Sequence, residues 1–194
     1  VIIIGGGPSG LLLSQLLMKN GIQTTIIEKQ SRNHVLNRIR AGIIEPHSVK
    51  LLNHAEIGGR ILREGHVHSG TVISSGDRSF RIDFEKTTGQ SVTVFGQTEI
   101  TRDLYTSQDK ANATILHKVK DVVLKDLYDQ CPSVQFELES GRRTSIKADF
   151  IIGCDGFHGA SRNSIPKNKK KVYEKIYPFG WLGILSETPP VNEE

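Results

Sequence analysis

The sequence predicts an α/β fold in which a parallel βαβ unit at the front is interrupted by antiparallel strands. Three observations predict it. A short β-branched run, Val1–Ile4, ends at glycine, as a strand buried on both faces does. A glycine-rich turn and an apolar-faced helix follow, and a second short strand comes directly after. From His66 onward the pattern changes to residue-by-residue alternation broken by turn pairs, the mark of antiparallel strands.

The elements can be taken in order. Ser9–Asn20 reads as a helix with Leu11, Leu12, Leu16 and Leu17 on its apolar side, closed by Asn20-Gly21. Thr24–Glu28 is the second strand, and so short a strand–helix–strand link makes a right-handed crossover. Residues 29–65 read as loops with short helices, the clearest at Pro46–Asn53. Strands are predicted near 66–74, 79–84 and 91–95, turning at Ser75-Gly76-Asp77 and Thr88-Gly89, and Glu99–Ala111 as a helix. Thr114–Leu127, Val134–Glu139 and Arg143–Ile152 are expected to form one meander, with a tight turn at Ser140-Gly141. Tyr173–Leu185 is expected to form one or two strands.

Composition sets few limits. Of 194 residues, 37% are hydrophobic and 24% charged, ordinary values for a globular protein, so a packed core is expected. No run approaches the roughly 18 consecutive apolar residues of a membrane span, and no membrane partner is expected. Cys131 and Cys154 make no close-spaced metal or redox motif, so no metal is expected and a cytoplasmic location is. The net charge of +4 comes largely from Lys167-Asn168-Lys169-Lys170-Lys171. It reads as a solvated loop; no aromatic residues interleave with it, and no nucleic acid partner is expected.

The chemistry lies in Gly5-Gly6-Gly7-Pro8-Ser9-Gly10, which matches G-x-G-x-x-G between a strand and a helix. Gly5 permits the turn, Gly7 lets backbone approach a pyrophosphate, and Gly10 lets the helix pack on the strand. Free N–H groups at the helix start complete an anion site. Glu28, ending the second strand, is placed to accept hydrogen bonds from adenosine ribose and would repel a 2′-phosphate. The loop should therefore hold FAD or NAD rather than NADP. A plain dehydrogenase half would continue alternating strand and helix, and this chain does not.

These residues, with four later blocks, resemble the FAD-dependent aromatic hydroxylases. The blocks are Arg38–Gly42, Gly96–Leu104, Gly153–Gly159 and Tyr177–Gly183, and the resemblance runs through essentially the whole chain. It implies a Rossmann-like FAD-binding domain over 1–165 with inserted antiparallel strands, and the start of a mixed-sheet substrate-binding domain over 166–194. It implies that Ser9 and the loop contact the FAD pyrophosphate, that Glu28 holds ribose, and that Arg38, Ile39, Arg40, Ala41, Gly42 and Ile43 lie along the cofactor. Arg40 would reach its phosphates and Arg38 the incoming nicotinamide nucleotide. Gln97 would bond FAD near the flavin, and Asp155 would serve both nucleotides. His158 and Arg162, with Lys29 and Gln30, would help bind NADPH or NADH.

The implied reaction is hydroxylation of a small aromatic acid, 4-hydroxybenzoate, with O2 and NAD(P)H. Other phenolic substrates, a ring epoxidase or halogenase-like enzyme, an NAD-dependent dehydrogenase and a non-enzymatic nucleotide module are the competing readings. Both ends read as interior to a longer protein, expected to be a homodimer. Residues that ionise the phenol and clamp its carboxylate are expected after Glu194, so no catalytic residue is assigned. The 194-residue piece alone is expected to bind FAD weakly or aggregate.

Overall fold

The computed structural model describes residues 1–184 and 187. In chain order its elements are β1 (Ile2–Ile4), α1 (Pro8–Lys19), β2 (Thr25–Ile27), α2 (Arg32–Leu36), β3 (Ile43–Ile44), α3 (Pro46–His54) and α4 (Gly59–Glu64). Next come β4 (His66–His68), β5 (Gly70–Ser75), β6 (Arg78–Asp83), α5 (Phe84–Thr88), β7 (Val92–Val94) and α6 (Gln97–Lys110). The chain continues through β8 (Thr114–Leu116), β9 (Lys120–Lys125), β10 (Ser133–Glu137), β11 (Arg143–Lys147), β12 (Ile151–Gly153) and α7 (Ala160–Ser164).

The isoleucine run explains the layering. β1 is paired in parallel on both sides, in a sheet ordered β12-β1-β2-β8. Successive side chains of a strand point to opposite faces, so both faces must be covered. Ile3 packs on one side with Leu11 of α1 and with Ile100, Leu104 and Tyr105 of α6. Ile2 and Ile4 pack on the other with Val134 and Phe136 of the antiparallel sheet β11-β10-β9. All three isoleucines are at most 3% exposed, and each such burial is worth about 2 kcal/mol. The result is a helix layer, a parallel sheet and an antiparallel sheet.

Helix α1 is not purely apolar on its buried side, which consists of Gly10, Leu11 and Ser14. Ser14 Oγ lies 2.6 Å from Thr24 Oγ1 and donates to Gln108 Oε1 at 3.1 Å, so the buried hydroxyl is satisfied across the contact with α6.

Two expectations need correction. The segments 114–127 and 143–152 do not lie in one meander. Each splits, giving β8 and β12 to the parallel sheet and β9 and β11 to the antiparallel one. The first break falls where Lys118 adopts a φ of 57°, outside the strand region, and Asp121 with φ 50° marks an irregularity at the start of β9. Nor do residues 173–184, the described part of the expected Tyr173–Leu185 strands, form any. No described residue from 173 to 184 is paired, and Tyr173, Ile176, Trp181 and Leu182 are 85–94% exposed; Leu185 lies outside the described residues. A strand needs a neighbouring edge, and no described segment supplies one.

The antiparallel stretch after residue 66 is present as β4–β7. It forms the sheet β3-β7-β4 and a separate hairpin of β5 and β6.

Candidate functional site

The glycine loop leaves the carboxyl end of β1 and enters α1. Gly5 has φ +105°, and a Cβ there would lie 2.5 Å from the Cys154 carbonyl oxygen, so only glycine fits. A Cβ at Gly10 would overlap the Gly5 carbonyl oxygen and press on Ile3 at 3.2 Å, which is how the helix comes so close to the strand. Gly7 is different: its φ is −77°, and a Cβ would meet nothing within 4 Å. Gly7 is also the N-cap of α1, with no side-chain cap and no acid in the first turn. The first-turn N–H groups therefore point into open space beside an exposed Ser9.

Glu28 lies under this loop and is 8% exposed. Its Oε2 accepts from Gly6 N–H at 2.6 Å and its Oε1 from Gln30 N–H at 2.7 Å. A carboxylate has about four lone-pair sites, so acceptor capacity remains on both oxygens. Lys29 is exposed, and His34 is exposed on α2, whose N-terminus is capped by Ser31 Oγ.

The segment from Arg38 to Ile43 runs from α2 into β3. Arg38, Ile39, Arg40, Ala41 and Ile43 are exposed, and neither arginine has a hydrogen bond or ion pair among the described residues. Gly42 binds this strap to the segment carrying Gln97. Phe95 N–H donates to Gly42 O at 2.7 Å, and a Cβ at Gly42 would sit 2.7 Å from Phe95 O. Gln97 opens α6 and is half-buried. Arg60 of α4 fixes that helix end, donating at 2.9 Å each to Glu99, Asp103 and Glu64.

Asp155 follows β12, beside β1, so its backbone lies against Gly5. Its carboxylate packs on Gly159 and accepts from Ser161 N–H at 2.9 Å, closing the turn 155–161. His158 is exposed, edge-on to Phe157 with ring centres 5.0 Å apart, and the Arg162 guanidinium lies 4.2 Å over the same ring. Cys154 is half-buried and its thiol is pushed up by burial, with Asp155 adding to the shift; it stays a neutral thiol and no nucleophile. Among the described residues no His/Cys/Asp/Glu group could hold a metal, and no helix is long and apolar enough to cross a membrane.

The glycine loop, Glu28 and Asp155 thus share the carboxyl ends of β1, β2 and β12, where open α/β sheets bind ligands. A family described as FAD binding domain matches residues 1–194. The chain belongs to the FAD binding domain family.

Its relatives carry the same front end. It is 47% identical over 195 residues to p-hydroxybenzoate hydroxylase of Acinetobacter baylyi, covering all of this chain and 48% of the relative. It is 23% identical to pentachlorophenol 4-monooxygenase of Sphingobium chlorophenolicum, over 85% of this chain and 31% of that one. The chain thus spans about half or less of the length of these relatives. A crystal structure of p-nitrophenol 4-monooxygenase from Pseudomonas putida superposes with a TM-score of 0.71, at 19% identity over 84% of this chain and 42% of that one. This last likeness concerns the fold.

The residues present fit FAD. The space over Gly7 is the room a pyrophosphate needs, uncapped N–H groups face it, and a buried carboxylate with spare lone pairs stands one strand away. Sequence reasoning did not single out Arg32, Tyr105 or His117. Tyr105 is 1% exposed, Arg32 lies 4.6 Å over its ring, and His117 sits 5.8 Å from it. The spacing of Thr101, Leu104, Tyr105 and Gln108 is the helical signal that marks the buried side of α6.

Proposed function

We propose that this chain is the FAD-binding front of an aromatic-ring monooxygenase that converts 4-hydroxybenzoate to 3,4-dihydroxybenzoate with O2 and NADPH or NADH. What carries the reading is the 47% identity across the whole chain to p-hydroxybenzoate hydroxylase. The open cradle at Gly7 independently supports its cofactor part, the seat for the FAD pyrophosphate. Residues 1–165 form the FAD-binding domain, and 166–194 begin a substrate-binding domain.

Each residue then has a task. Gly5, Gly7, Ser9 and Gly10 shape the loop, and the first-turn N–H groups of α1 receive the pyrophosphate. Glu28 accepts the adenosine ribose hydroxyls on its free lone pairs. Arg40 sets its unpaired guanidinium on the phosphates, forking two N–H groups as lysine cannot. Ile39, Ala41, Gly42 and Ile43 run beside the cofactor, and Gln97 bonds it near the flavin. Asp155 borders both nucleotides, while Arg38, His158 and Arg162, with Lys29 and Gln30, receive the nicotinamide nucleotide. When bound, the flavin supplies hydride acceptance and oxygen activation, and the protein orients it and excludes water. The full-length protein works as a cytoplasmic homodimer.

The test is NAD(P)H oxidation by protein expressed from the complete reading frame, with and without 4-hydroxybenzoate, identifying the product. Stimulated oxidation with 3,4-dihydroxybenzoate formed is expected. Flavin-loaded protein that ignores 4-hydroxybenzoate would remove the substrate and keep the FAD site; no bound flavin would remove both.

A further inference from the structure

Glu28 sits in a closed circuit of contacts that a ribose acceptor does not by itself require. Gly6 and Gln30 donate to its two oxygens. The Gln30 carbonyl takes Lys118 N–H at 3.2 Å and also lies 3.2 Å from His117 Nδ1. The His117 ring packs on Tyr105 with centres 5.8 Å apart, and Tyr105 Oη reaches back to the Gly6 carbonyl at 3.4 Å. Arg32 holds the ring from α2, stacked 4.6 Å over Tyr105 and forked onto Asp109 at 2.8 and 2.6 Å.

We propose that His117 is a positioning residue for FAD: its Nδ1–H locks the Gln30 carbonyl and thereby holds the Glu28 carboxylate in the orientation that meets the ribose. The inference rests on Glu28 being the ribose acceptor. A carbonyl oxygen only accepts, so the contact requires a proton on Nδ1. Lys118 N–H, at the same 3.2 Å, is the second donor to this carbonyl and is held by a left-handed backbone at that residue. Tyr105 is held a neutral phenol by burial and by the Glu28 charge, so its hydroxyl donates to Gly6 and closes the circuit on the loop side. A carboxylate aligned before the ligand arrives loses less on binding than one that must be ordered by it.

Equilibrium FAD binding, followed by quenching of flavin fluorescence in full-length protein, tests this with four variants. His117→Leu keeps the volume and removes the donor; a weakening of about tenfold is expected, the scale of one lost hydrogen bond. His117→Asn returns an N–H near the Nδ1 position and should restore most of the affinity. In Glu28→Gln, adding His117→Leu should weaken FAD no further, because the two act as one unit. Thermal midpoints of all four separate this from plain destabilisation. Additive losses, or a His117→Leu loss that Asn fails to rescue, would overturn the positioning role while leaving Glu28 in place. Undiminished binding by Glu28→Gln alone would overturn the ribose reading itself, and the His117 role with it.

Discussion

At the scale of single residues the glycine loop separates folding from binding, because its glycines are glycine for different reasons. Gly10 has no room for a methyl group, whereas Gly7 has open space and an ordinary φ. Gly10→Ala should therefore cost stability, about 1–3 kcal/mol or more as overpacking against rigid backbone, and lose FAD along with the fold. Gly7→Ala should move the thermal midpoint little, since the restriction alanine puts on the unfolded chain is offset by its poorer N-capping of α1. Its methyl group would nevertheless occupy the space over the helix start, and FAD affinity should fall by at least tenfold, about 1.4 kcal/mol. Calorimetry and flavin titration on the two variants check this. A Gly7→Ala protein that binds FAD normally would mean the pyrophosphate does not lie there.

At the scale of elements the Arg60 cluster ties α4 to the start of α6, and so to Gln97. Glu99 also accepts from Arg102, one turn along α6. Hydrogen bonds from Arg60 hold the Glu64 and Glu99 carboxyls below their ordinary value of 4.5. A depressed folded-state value means the stabilisation is present above pH 4.5 and is lost as pH falls through the lowered values. Thermal midpoints measured from pH 6 down to about pH 3 should thus decline. In Arg60→Met the decline should be shallower, because the acids then repel one another at neutral pH and gain relief on protonation. Equal slopes in the two proteins would show that the cluster contributes nothing to α6. The pairs are partly open to solvent, so the difference should shrink at high salt.

The same scale shows what the sequence could say. The first βαβ unit was legible because its signals are local: an all-isoleucine strand, a turn only glycine can make, a helix stop. The split of residues 114–127 and 143–152 between two sheets was not legible. Alternation reports which face a side chain takes, not which sheet the strand joins, and pairing partners far along the chain, Ile2 for Ile151 and Thr25 for Thr114, decide that. In the site, Glu28 could be read from its place after a strand. The role proposed for His117 could not, because its contact with Gln30 arises only when β8 comes beside β2.

At the scale of the whole molecule, the segment after residue 172 is at odds with the packing elsewhere. Seven large apolar side chains between Tyr173 and Ile184, all more than half exposed, carry a surface that a folded protein ordinarily covers. The chain spans 48% of the length of p-hydroxybenzoate hydroxylase of Acinetobacter baylyi, and a longer reading frame would supply the chain that covers it. Trp181, 94% exposed and the single tryptophan among the 194 residues, reports the outcome. In the 194-residue polypeptide its emission should be that of a water-exposed indole, open to acrylamide, with dye-binding apolar surface and a tendency to self-associate. In protein from the complete reading frame, the emission lost in Trp181→Phe should be blue-shifted and shielded from quencher. If Trp181 stays exposed there too, residues 173–184 form a surface segment of the whole protein, and the proposed second domain does not begin at residue 166.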